Sequence, residues 1–144
     1  MLTPRVEYAL RALTFLAQQF DTAQSAGQIA KQVRVPAAYL AKVLQELRRQ
    51  KLVTSQRGIT GGFRLAREIH QITLYDVMQA VEPMPRIKEC PLGLAAHGYR
   101  LCPLHRNLDE SLARMERDYS RITLADLISG TKTPARTCPF PRPA

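Results

Sequence analysis

Val6, Leu10, Leu13, Ala17 and Phe20 fall three or four residues apart. That spacing lines one face of an α-helix, so the chain opens with an amphipathic helix. Thr3 is placed to cap it and Pro4 suits its first turn. A polar linker, residues 21–24, follows. In SAGQIAKQV, Ser25 and Gln28 stand at capping-box spacing, so a short helix begins at Ala26. Arg34-Val35-Pro36 breaks it, and Pro36 opens a second helix, AAYLAKVLQELRRQ. Its apolar stripe is Leu40, Val43, Leu44 and Leu47. Its other face carries Ala37, Ala38, Ala41, Lys42, Gln45, Arg48 and Arg49. Two short helices across a tight turn, the second small-sided and basic, have the layout of a helix-turn-helix. An ordinary helical hairpin with solvated Lys and Arg is the plainer alternative.

The pattern then changes period. LVTSQRGITGGFRLA runs from β-branched residues through a glycine-rich tip to a second short apolar run, which predicts a β-hairpin. Arg57 and Arg64 flank the tip. A basic hairpin directly after a helix-turn-helix reads as a wing whose arginine can enter a narrow minor groove. The other reading of GITGG, a phosphate cradle, lacks the GK[ST] ending and the following helix. Thr73 caps another short helix, LYDVMQAVE. Further on, Leu104, Leu108, Leu112, Met115, Tyr119 and Ile122 make a long apolar stripe on an otherwise charged helix. Such a stripe needs cover, either from a symmetry mate or from the chain's own first helix. ITLADLISG forms a last short helix, capped by Thr123 and closed at Gly130. The proline-rich remainder is expected to lack order.

Charge sharpens this picture. The chain of 144 residues has a net charge of +9. Residues 1–70 hold eleven Lys/Arg against four acids, and residues 71–144 hold ten against eight. The basic excess lies on the helix-turn-helix and wing, which points to a polyanion and most naturally to nucleic acid. No apolar run is long enough for a membrane span and the first residues have no signal-peptide layout, so a cytoplasmic protein is expected. No nucleophile–base arrangement, paired carboxylates or cofactor fingerprint emerges, which argues against an enzyme.

The segment ECPLGLAAHGYRLCPLH concentrates the remaining chemistry: Cys90, His97, Cys102 and His105. An odd number of cysteines without an export signal favours thiols or metal ligands over a disulfide framework. An iron–sulfur cluster, redox thiols without metal, zinc, or no site at all remain open. Two thiolates suit a 2Fe–2S centre with nitrogen or carboxylate ligands better than a 4Fe–4S cluster, and the CxxC…HxxxH spacing of common zinc sites is absent. Cys138 reads as a free tail thiol and His70 as a surface residue.

VPAAYLAKVLQELRRQKLVTSQRGITGGFRLAR resembles the winged-helix core of the IscR/NsrR-type (Rrf-two) family of bacterial transcription regulators. VEYALRAL, TLYDVMQAVE and the CPLGL…CPLH segment before a long helix are similar to that family too, so the resemblance runs from Leu2 to Gly130. It implies a mainly α fold: a winged helix-turn-helix with a small β-hairpin wing (residues 1–82), a cofactor or sensor loop (83–105), and a long dimerisation helix with a short packing helix (104–130), before a tail (131–144). It implies a homodimeric repressor on double-stranded, two-fold DNA. Ala38, Tyr39, Lys42 and Arg49 on the second helix, and Arg57, Gly61 and Gly62 on the wing, would face that DNA. The Leu104–Ile122 stripe would join the subunits. The loop would hold an iron–sulfur cluster through Cys90 and Cys102 with His105 or His97, and Glu7 from the partner subunit could supply a non-cysteine ligand. Glu7 could equally pair with a basic side chain. The loop departs from the family pattern in having two cysteines where cluster-binding members have three. A metal-free regulator controlled by thiol oxidation, a small effector or a partner protein is the competing expectation.

Overall fold

The computed structural model describes residues 3–19, 22–93 and 101–129. His97, Cys138, Phe20, Gly130 and the tail lie outside them. Helix α1 (Pro4–Gln18) begins as expected, with the Thr3 hydroxyl accepting from the Val6 N–H. Its amphipathic pattern understates its burial. Ala12, Leu13, Thr14, Phe15 and Leu16 are consecutive and all buried, because α1 runs through the centre and is touched by helices on several sides. Buried Thr14 satisfies its hydroxyl by donating to the Leu10 carbonyl at 2.8 Å.

Helix α2 (Ala26–Val33) starts on the Ser25/Gln28 capping box and stops at Arg34, whose φ of 55° is left-handed. Helix α3 (Ala37–Arg49) follows. Pro36 is its N-cap rather than its first helical residue, and the Pro36 carbonyl accepts from the Leu40 N–H at 2.9 Å. Leu40, Val43, Leu44 and Leu47 are buried against the α1 core. Beyond α3, Arg67 donates to the Gln50 and Lys51 carbonyls at 3.1 and 3.2 Å, serving acceptors that the helix end would leave open.

Strands β1 (Val53–Gln56) and β2 (Gly62–Leu65) pair antiparallel, with Val53 opposite Leu65 and Gln56 opposite Gly62. The expected linker before α2 is not only a linker. Gln24 exchanges two backbone hydrogen bonds with Phe63, at 2.9 and 2.7 Å, and so adds a one-residue third rung to the wing.

After a 3-10 turn (Ile69–Gln71), helix α4 (Leu74–Val81) starts on a Thr73/Asp76 capping box. Helix α5 (Pro103–Tyr119) buries none of its own residues, whereas Leu124 and Ala125 of α6 (Leu124–Ser129) return to the core. The apolar stripe predicted from Leu104 to Ile122 therefore divides. Tyr119 packs against the chain's own core. Ile122 lies past the end of α5, and its carbonyl accepts from the Leu74 N–H at 2.8 Å beside the Thr73–Thr123 bridge. Leu104, Leu108 and Met115 stay exposed.

Candidate nucleic-acid interface and cysteine loop

The exposed side of α3 presents Ala38, Tyr39, Lys42 and Arg49, as its periodicity predicts. Two contacts with α1 hold this face. The Tyr39 ring meets the Tyr8 ring edge-on, with centroids 5.4 Å apart and planes at 85°, a favoured aromatic geometry. Arg5 forms a two-pronged ion pair with Glu46, the one carboxylate of α3. That pairing keeps the helix's basic groups without an acidic competitor. It also raises the Arg5 pKa, chiefly through the Glu46 hydrogen bond.

Three residues, Gln50, Lys51 and Leu52, separate α3 from the wing. Residues 54–60 are exposed, Arg57 among them. Gly61 and Gly62 prove to have structural work of their own. The Gly61 N–H donates to the Gly58 carbonyl at 3.0 Å, closing the tip, and a Cβ on Gly61 would lie 2.4 Å from the Gln56 carbonyl oxygen. Gly62 has a φ of 151°, and its Cβ would lie 2.6 Å from the Gln24 backbone. Sequence reading saw the glycines but missed Gln24, because the third rung joins segments that are distant along the chain.

In the loop, Cys90 is half-buried at a turn closed by the Gly93 N–H on the Cys90 carbonyl, at 3.0 Å. Cys102 is the N-cap of α5, which brings His105 round by one turn. The Cys102 Sγ and His105 Nδ1 stand 3.2 Å apart. Among the described residues, no group of three or more His, Cys, Asp or Glu is close enough to hold a metal ion. Glu7 does not approach the loop's pair within its own chain. It is bound to Arg11, one turn on, and Arg11 also donates to the Val33 carbonyl at 3.4 Å.

A second set of charges escaped sequence reasoning. Arg86 clasps Asp109 with two hydrogen bonds, at 2.7 and 2.8 Å, and reaches Glu116 at 3.2 Å. The Ile87 N–H donates to Asp109 at 2.9 Å. The Arg86 guanidinium, helped by that backbone N–H, lowers the Asp109 pKa to about 2. Tyr75 on α4 hydrogen-bonds to Glu116, and its pKa is raised by burial first and by that bond second. These groups tie the start of the loop and α4 to α5. The available signal was slight: Asp109 and Glu116 are seven residues apart, so they share a helical face.

The family model for Rrf2, described as an iron-dependent transcriptional regulator, matches residues 2–130. A relative from Aquifex aeolicus (strain VF5), named "Putative HTH-type transcriptional regulator", is 32% identical over 127 residues, covering 86% of this chain and 88% of the relative. Among solved structures, T. potens IscR is similar with a TM-score of 0.75 at 24% identity, over 95% of this chain and 93% of that one. CymR of B. subtilis, the global cysteine regulator, gives 0.72 at 24% identity, over 92% and 98%. These two structural likenesses establish the winged-helix fold, and the match over residues 2–130 makes this chain a member of the Rrf2 family of transcriptional regulators.

Proposed function

We propose that this regulator acts as a homodimeric repressor whose affinity for a two-fold DNA site is set by an iron–sulfur cluster in the 90–105 loop. The observation that carries the cluster is the Cys102–His105 pair, a thiol and an imidazole 3.2 Å apart at the head of α5. Their donor atoms suit a 2Fe–2S centre of mixed ligation. Cys90 would be the second thiolate. His97, or Glu7 of the partner subunit, would complete the set, with Arg11 then giving up its carboxylate. When bound, the cluster would supply a centre sensitive to oxidation, nitric oxide or cluster supply. The chain's own part is to couple that centre to DNA. Cys102 begins α5, and Arg86 links the loop to α5 while Glu116 links α5 to α4. A change in the loop therefore has a direct route to the angle between α5 and the DNA-binding domain.

The DNA half rests on the exposed face of α3 and the wing. Leu47–Arg67 contains six Lys/Arg and no acid. The location follows the same reading: a DNA-binding regulator works in the cytoplasm, and among the described residues no helix is long and apolar enough to cross a membrane.

The test is anaerobic purification with an absorbance spectrum, iron and sulfide assays, and a gel shift of loaded and stripped protein. Visible charge-transfer bands should vanish in Cys90→Ala and in Cys102→Ala, and remain in Cys138→Ala. The competing reading, a thiol switch without metal, also draws on the close Cys102–His105 contact. Colourless, iron-free protein whose DNA affinity follows thiol oxidation at Cys102 would establish that reading and overturn the cluster.

A further inference from the structure

Ile59 stands at the apex of the wing with a relative exposure of 107%, more than any other large apolar residue in the described chain. Its neighbours on the wing surface are Thr54, Ser55, Gln56, Arg57, Thr60 and Arg64, all exposed and none apolar. A β-branched hydrocarbon at such a tip gains nothing in the isolated fold, since no core residue touches it. Scattered exposed apolar residues are normal, but this one is held out on a stiff support. The turn is closed by the Gly61 N–H on the Gly58 carbonyl at 3.0 Å. Gly61 and Gly62 are packed without room for a Cβ, and the Gln24 rung braces β2 from outside. The tip therefore presents Ile59 and Arg57 together at the end of a hairpin that begins three residues after the recognition helix.

We infer that Ile59 is an apolar wedge that enters the DNA minor groove beside Arg57, opens a base step there and bends the duplex; this rests on the DNA-binding reading above. The minor groove is about 6 Å wide, which admits a turn but not a helix. With α3 in the major groove, the wing would reach the groove alongside it. Apolar side chains, isoleucine among them, kink DNA by partial insertion between base pairs, and pyrimidine–purine steps yield most easily. Arg57 would supply charge attraction, which favours a narrow A·T-rich groove. Ile59 would add a preference for deformable steps, giving sequence selectivity at positions where no hydrogen bond reads a base.

The experiment selects binding sites from random-sequence duplexes with wild-type protein, then compares Ile59→Ala, Ile59→Met and Arg57→Ala on the selected site. Bend angle is read by circular-permutation gel shift and affinity by titration over a salt series. Ile59→Ala should straighten the DNA, lose about tenfold in affinity for the selected site and flatten the preference at the wing-facing step. It should leave the salt slope unchanged, while Arg57→Ala lowers that slope by about one. Ile59→Met should retain the bend. If Ile59→Ala bends and selects DNA as wild type does, the wedge is refuted while the DNA-binding reading stands. If wild-type protein selects no sequence at all, both are refuted. An Ile59→Ala protein with unchanged DNA properties but lost binding to another protein would overturn the wedge in favour of a protein-contacting tip.

Discussion

Gly62 shows how a single residue can be fixed by a contact far from it along the chain. Its φ of 151° disfavours any side chain, and the Gln24 backbone fills the place a Cβ would take. Gly58 is the natural comparison, because its φ of 117° is also positive but nothing lies within 4 Å of its Cβ position. Gly58→Ala should cost about 1–3 kcal/mol of backbone strain. Gly62→Ala should cost more, because it adds a clash that only separation of Gln24 from β2 relieves. Urea denaturation of both variants measures the difference, and equal losses would mean that the Gln24 rung does not brace the wing. The residues that were legible from sequence are those whose reasons are local. Thr3, Ser25 and Thr73 cap helices with partners three residues away. The reason for Gly62 lies across the fold, and so does the Tyr8–Tyr39 contact, so neither could be read from spacing alone.

At the scale of elements, the helix-turn-helix and wing were fixed by period and turn chemistry, while α5 was only half legible. Its apolar stripe was plain, but where the helix ends was not. Ile122 continues the spacing of the stripe yet belongs to the bridge that seats α4 and α6. The Arg86–Asp109 clasp is the other unread feature, and it makes a pH prediction. Asp109 titrates at about 2 in the folded chain against an ordinary value of 3.8. A depressed carboxyl pKa stabilises the folded form above the unfolded value, and that contribution fades as pH falls from about 4 towards 2. Asp109→Asn should therefore be less stable than wild type near neutrality, with the gap closing across that acid window. Denaturant titrations at a series of pH values test it, and a gap independent of pH would show that the clasp adds nothing to the fold. Near neutral pH the clasp does not titrate, so it works as a fixed joint between loop and helix rather than as a pH sensor.

At the scale of the molecule, α5 raises the question of what covers it. Leu104, Leu108 and Met115 are exposed at 64%, 48% and 38%. They lie on one side of a helix that buries no residue within its own chain. Leaving such a face in water forgoes the gain of apolar burial, roughly 25 cal/mol per Å². In the homodimer proposed above, a second copy of the same helix would cover it at once and give the molecule the two-fold symmetry that a two-fold DNA site requires. Leu108 is the position to test, because its exposure in the single chain means that a substitution there spares the core. Leu108→Glu would place a carboxylate from each subunit in an apolar seam, where an unpaired buried charge costs about 3 kcal/mol or more. Light scattering should then report monomers at concentrations where wild type is dimeric, with the thermal melt of the DNA-binding domain little changed. Affinity for a full site should fall towards that for a half-site, since two linked domains bind more tightly than one. A Leu108→Glu protein that remains dimeric and binds the full site like wild type would place the seam elsewhere and leave the exposed face of α5 for another partner.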